Sequence, residues 1–171
     1  MKTGPVTGRC VGACLAVMLC LAGRHAAAAE AGPVTNLPLP RFVSLKSEKA
    51  FIRRGPGLTH RIDWVFVRRG MPLEVVAEHG HWRQVRDVDH ATGWVHHALL
   101  RGARSAVVTV ERGTLRREPR QSASASAMAE AGVIMRVRQC AREWCEVSKD
   151  EHRGWILKSE IWGAKPDEVF D

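Results

Sequence analysis

Apolar and polar residues alternate in short runs along this chain. Leu73, Val75 and Ala77 alternate with Glu74, Val76 and Glu78. Val133, Met135 and Val137 alternate with Ile134, Arg136 and Arg138. A period of two over so few residues predicts half-buried strands. Turn signals separate the runs: Gly55-Pro56-Gly57, Gly70-Met71-Pro72, His79-Gly80-His81, and the segment from Asp89 to Gly93. About five short strands broken by glycine and proline predict a small barrel or sandwich. No stretch beyond residue 29 holds a long period of 3.6. Ser122 to Ala127 alternates serine and alanine and reads as a mobile loop.

The pattern occurs twice. Trp82-Arg-Gln-Val85 is followed by Gly93-Trp94-Val95, and Trp144-Cys-Glu-Val147 by Gly154-Trp155-Ile156. Trp144 lies 62 residues after Trp82, and Trp155 lies 61 after Trp94. Upstream, Ile52-Arg53-Arg54 is echoed by Leu115-Arg116-Arg117, and Gly70 by Gly132. A spacing this constant marks one structural unit, duplicated. The units are placed at 42–101 and 106–162. Residues 30–41 contain Pro33, Pro38 and Pro40 and read as an extended leader. Residues 163–171 are polar, contain Pro166, and read as a loosely held tail. Units this short bury little surface, so packing together would stabilise both.

Residues 1–29 read as a secretory signal peptide. Lys2 and Arg9 precede an uncharged apolar run from Cys10 to Gly23, and Ala26 to Ala29 offers an Ala-x-Ala cleavage site. An uncleaved anchor fits less well, because the run falls short of the ~20 residues a spanning helix needs. Lipidation at Cys14 also fits less well, because the apolar run continues past it. No later segment is apolar enough to span a bilayer. Cleavage removes Lys2, Arg9 and Arg24 and no acid, taking the formal charge from +8 to +5. Of five cysteines it leaves Cys140 and Cys145. An even pair in an exported chain reads as a disulfide, with two free thiols as the alternative. So small a ring contributes roughly 2 kcal/mol in the chain-entropy model. Two cysteines without a Cys-x-x-Cys do not make a zinc site.

In each unit the order is Ile/Leu-Arg, a glycine turn, Trp-x-x-Val, then Gly-Trp-Val/Ile. This order resembles the bacterial SH3-like domain, and more closely the exported tandem-repeat SH3-like proteins of unknown function. The resemblance covers nearly all of residues 30–171 and implies an all-β fold of two tandem SH3-like small barrels. The turn before Gly-Trp often carries Asp-Gly in such domains; here it carries Asp89-His90 and Asp150-Glu151. A missing glycine removes the residue best suited to positive φ, so these turns are expected to differ in shape.

In a strand, positions i and i+3 face opposite sides. Val85 and Val147 are therefore read as core. Trp82 and Trp144 then lie toward the surface, as the groove tryptophan of the resemblance or as barrel caps. Trp94 and Trp155 are read as core. The analogy also puts His96 and Leu99 beside a groove, with Arg53 and Arg54 on its rim. Repeat 2 has Leu157 and Glu160 where repeat 1 has His96 and Leu99, so its groove is expected to be degenerate.

No catalytic set emerges. Bacterial SH3 domains often accompany a Cys-His peptidase domain, for which this chain has no room. No serine sits in Gly-x-Ser-x-Gly, and no phosphate-binding or dinucleotide loop occurs. Histidines 79, 81, 90, 96 and 97 cluster in repeat 1, but Gly80 marks a turn, and adjacent His96 and His97 would point apart if extended. They read as surface histidines, and neither a metal nor a cofactor is expected. Paired arginines match carboxylate and phosphate, or form a generally basic surface. In an exported protein nucleic acid is not the expected partner. The reading is a non-enzymatic periplasmic or secreted module that binds cell-wall peptidoglycan or an extended envelope peptide. The alternative is a structural adaptor that docks onto an envelope protein.

Overall fold

Alternation becomes strand wherever a run is flanked by turn residues, and the apolar parity faces inward. The computed structural model describes residues 30–171; the signal-peptide reading lies outside them. β1 (Glu30–Ala31) and β2 (Pro38–Leu39) form a hairpin. β3 (Arg41–Leu45), β4 (Ala50–Arg53), β5 (Ile62–Phe66), β6 (Pro72–His79), β7 (Trp82–Arg86), β8 (Thr92–His96) and β9 (Leu100–Arg101) form one antiparallel sheet. Their order is β5-β4-β8-β7-β6-β3-β9. The second sheet comprises β10 (Ser105–Val108), β11 (Arg112–Arg116), β12 (Ala125–Glu130) and β13 (Ile134–Cys140), then β14 (Trp144–Lys149), β15 (His152–Leu157) and β16 (Ile161–Trp162). Its order, β12-β11-β15-β14-β13-β10-β16, repeats the first with every strand advanced by seven.

Each sheet wraps its own core. Leu45, Ile52, Leu73, Val75, Val85 and Val95 fill the first, and Leu115, Met135, Val137, Val147 and Ile156 the second. The expectation for Val85 and Val147 therefore holds. The one for Trp94 and Trp155 does not: both are only half-buried. Their neighbours Gly93, Val95, Gly154 and Ile156 take the inward parity, so the tryptophans fall on the outer face.

A bulge interrupts β6–β7 between Val75 and Ala77, and β13–β14 at the matching place between Val137 and Gln139. One extra residue reverses the alternation. Glu78 in repeat 1 and Cys140 in repeat 2 thereby turn inward, opposite Arg83 and Cys145, which already face in by the regular alternation with Val85 and Val147. The cysteines are cross-strand partners and are disulfide-bonded.

Three segments depart from expectation. The Ser/Ala run is not all loop: Ala125–Glu130 is edge strand β12, whose small side chains pair along β11. The leader is not merely extended, because its hairpin is fastened to Glu78 through Val34 and Thr35. The tail is not loose. Phe170 bridges Cys140, and Glu168 pairs with Arg104. Lys158, buried, donates to the carbonyls of Arg142, Pro166 and Glu168. Burial is the main cause holding its ammonium pKa below the ordinary value, against the pull of Glu168 and Asp167.

The turns keep their backbone shape without their glycine. Gly70 and Gly132 have φ of 79° and 78°. The Gly-less turns also use positive φ, at His90 (64°) and Asp150 (51°). In the first, the Asp87 carboxylate accepts from the amides of Asp89 and Ala91. Left-handed backbone costs a non-glycine residue roughly 1–2 kcal/mol, less for Asp. His90→Gly is therefore expected to stabilise by about 0.5–1 kcal/mol and Asp150→Gly by less. Urea midpoints test this; a lower midpoint for His90→Gly would mean that its side chain, not its backbone, sets the balance.

A three-residue link, 102–104, joins the sheets. Across it Phe42 meets Trp162 edge-to-face at 4.9 Å, and the Arg68 guanidinium donates to the Gly132 carbonyl at 2.6 Å.

Candidate functional site

The outer face of β7–β8 carries Trp82, Trp94 and His96. Trp82 and His96 are cross-strand partners, and their rings meet edge-to-face at 5.6 Å. Trp94 follows one row along, opposite Gln84 and Arg53. Gly80, at φ 49°, makes a tight turn that brings His81 back toward β8. After His96 the chain enters a 3-10 turn at His97–Leu99, with the His96 Nδ1 accepting from the Ala98 amide. His81, His96 and His97 therefore meet, with centroids 4.8 to 5.8 Å apart. The expectation that His96 and His97 point apart fails because the strand ends between them.

These three are residues that could hold a metal ion, with one nitrogen from each within 4.8 Å of the others. Their rings lie within 31° of parallel. A shared ion needs ring planes that converge on it, so they stack and would have to turn to coordinate. His97 is kept below the ordinary imidazole pKa, first by burial and then by repulsion from His96, Arg83 and His81.

Next to this cluster lies a hollow of about 360 Å³, lined in part by Leu37, Phe42, Val75, Arg83, His97 and Leu100. The leader supplies one wall. His97 belongs both to the hollow and to the imidazole cluster beside Trp82.

The other expected site residues are placed differently. Leu99 packs against the first core and does not line the hollow. Arg53 donates to the carbonyls of Leu58 and His60, and so pins the loop between β4 and β5. Arg116, its counterpart, pins the next repeat's loop through Ala123. A guanidinium spent on carbonyls of its own loop is not a free rim. Arg54 is exposed and pairs with Asp63, whose pKa is lowered first by Arg61 and also by Arg54. Trp144 is 6% exposed, not a surface residue. It lies beside Cys145 and opposite Leu157, at the end of the sheet over which Phe170 and Lys158 fasten the tail. Sequence reasoning did not put His81 and His97 beside Trp82. The signal was Gly80, which as a hairpin turn makes His81 a neighbour of whatever pairs with Trp82.

A seven-stranded sheet built twice in one order, with matching bulges and glycine turns, defines a tandem small-β-barrel protein. The chain belongs to the bacterial SH3 domain family, whose model matches residues 46–102 and 109–163. No curated protein matches the chain. It is similar to two solved structures from Trichomonas vaginalis, NlpC1 and NlpC2, each at 11% identity. The TM-scores are 0.35 and 0.34, over 76% and 73% of this chain. The chain spans 48% of the length of each. Among the described residues no helix is long and apolar enough to cross a membrane.

Proposed function

We propose that this chain is a non-catalytic envelope module that binds peptidoglycan or an extended peptide through repeat 1, after export to the periplasm or beyond. The observation that carries this reading is the asymmetry between equivalent tryptophans. Trp82 is partly open beside three imidazoles and a hollow, whereas Trp144 is buried. Aromatic faces next to a shallow hollow suit extended chains, whose backbone is already close to the bound conformation. Repeat 2 then serves as scaffold, closed by its disulfide and tail.

Sedimentation of the purified protein with isolated peptidoglycan at physiological salt tests this. Trp82→Ala is expected to weaken binding at least about tenfold, as loss of a buried aromatic anchor does. Binding that vanishes with salt equally in both forms would reduce the effect to basic charge on an acidic polymer. No binding by either form would sink the reading.

A second reading, docking onto an envelope protein, is favoured by edge strand β5. Ile62, Trp64 and Val65 on it, with Phe51 on neighbouring β4 and Val67 just past its end, are 40–66% exposed, and unpaired apolar edges invite strand addition. In this case crosslinking in the envelope captures one protein partner, and Trp64→Lys abolishes the capture.

A further inference from the structure

The two repeats enclose between them a cleft of about 420 Å³ that neither repeat contains alone. Arg69 and Arg101 of repeat 1, Arg104 of the link, and Arg136 and Lys149 of repeat 2 line it, with no Asp or Glu. Arg104 is neutralised by Glu168, at 2.5 and 2.8 Å. Arg101 is steadied only by the neutral Ser44 hydroxyl, at 3.0 Å. Among the described residues, Arg69, Arg101, Arg136 and Lys149 take part in no ion pair. Four uncompensated cations around one concave surface repel one another and focus a positive field.

A second observation is independent of charge. Ser105, which lines the same cleft, is 5% exposed, and its hydroxyl has no hydrogen-bond partner. Buried hydroxyls are nearly always paired, and an orphan calls for an explanation. It sits on β10 opposite Arg136, so one hydroxyl donor and one guanidinium share a wall.

We propose that this cleft is an oxyanion site that takes a compact phosphate ester, of the size of a sugar phosphate. Phosphate fits better than a single carboxylate. It carries close to two charges at neutral pH and three acceptor oxygens, against four free cations and a hydroxyl donor. Guanidinium forks bind such oxygens bidentately. The cleft is larger than a bare phosphate needs and lies within the range of small-molecule pockets. Ile134, partly exposed on this wall, offers one apolar contact for the body of the ligand. The site requires both repeats in their present orientation, which gives the duplication a use beyond avidity. It adjoins the hollow beside the Trp82 face, with Arg101 lining both, but Arg136, Ser105 and Lys149 belong to the cleft alone, so either site can be tested without the other.

Calorimetric titration of the purified protein at physiological salt tests the proposal, with glucose 1-phosphate, inorganic phosphate, glutarate and glucose as probes. Saturable one-to-one binding of glucose 1-phosphate is expected, with glutarate weaker and glucose silent. Arg136→Ala is expected to weaken it at least about tenfold, and Ser105→Ala about three- to fivefold, from the usual strength of charged hydrogen bonds. Ser105→Ala loses no partner in the free protein, so its Tm without ligand is expected not to fall. Equal affinity for inorganic phosphate would keep the site and make the free ion its ligand. Absence of saturable binding of either phosphate would overturn the proposal. So would affinities indifferent to both Arg136→Ala and Ser105→Ala.

Discussion

A Glu78→Gln variant is expected to lose about 3 kcal/mol of stability at pH 7 and to flatten the acid limb of the stability curve. The Glu78 side chain is fully buried. It accepts from the amides of Val34 (3.1 Å) and Thr35 (2.9 Å), the Thr35 hydroxyl (2.7 Å) and Arg41 (2.6 Å). Arg83 stands at 3.4 Å. Burial pushes the carboxyl pKa up, but the donors of Thr35, Arg41 and Val34 outweigh it, and the pKa falls from 4.5 to about 2. The folded value lies below the unfolded one. The contribution is therefore complete above pH 4.5 and is lost as pH falls toward 2. That difference corresponds to about 3 kcal/mol. Glutamine is neutral and turns an amide toward donors, leaving Arg41 and Arg83 without their counter-charge. Urea unfolding at pH 7 and pH 3 checks this. Equal stability of the two proteins at pH 7 would show that the leader, not the carboxylate, holds this end closed.

Glu78 and Arg83 occupy the positions that Cys140 and Cys145 hold 62 residues later. The hairpin is thus stapled at one place in both repeats, by an ion pair in the first and a disulfide in the second. A terminal segment docks on each staple: the leader on Glu78 and Phe170 on Cys140. The repeat spacing made the fold legible, because it exposes strand order and turn positions without any knowledge of contacts. The staple was half legible. Two cysteines announce themselves, whereas a glutamate in an alternating run looks solvated until the bulge at Val76 turns it inward. A bulge leaves no mark in hydrophobic pattern, and the docking of leader and tail depends on it.

The site was legible to a similar degree. Trp82 and Trp144 are the same residue in the repeat, so sequence treats them alike. They differ in burial, Trp82 being half-buried and Trp144 6% exposed, because the surroundings of the two strands differ where leader and tail dock. Arg53 looked like a rim charge because a guanidinium is mostly exposed by type. Loop carbonyls within its reach claim it instead. The misplacement of Trp94 and Trp155 has a simpler cause. Large aromatic residues are read as core by size, while the strand's parity had already given the inside to glycine and valine.

That parity leads to the other large effect: Gly93→Ala and Gly154→Ala are each expected to cost about 2–3 kcal/mol. A Cβ at Gly93 would stand 2.5 Å from the Ile52 Cγ2 and 3.0 Å from the Arg53 carbonyl oxygen. At Gly154 it would meet the Ser126 hydroxyl at 2.6 Å, the Leu115 Cβ at 2.9 Å and the Arg116 carbonyl oxygen at 3.0 Å. An isoleucine can change rotamer, but a carbonyl in the sheet cannot withdraw without disturbing its strand. The close approach is where β8 crosses β4 and β15 crosses β11, the contact that folds each sheet back over its core. Gly102→Ala is the control, since a Cβ there meets nothing within 4 Å. In urea unfolding followed by tryptophan fluorescence, Gly93→Ala and Gly154→Ala are expected to lower the midpoint, while Gly102→Ala leaves it in place. Coincident midpoints for Gly93→Ala and Gly102→Ala would mean the crossing yields freely. A lowered midpoint would explain why Gly-Trp is the part of the pattern that survives duplication most plainly: the glycine lets two strands cross, and its neighbour is thereby sent to the outer face.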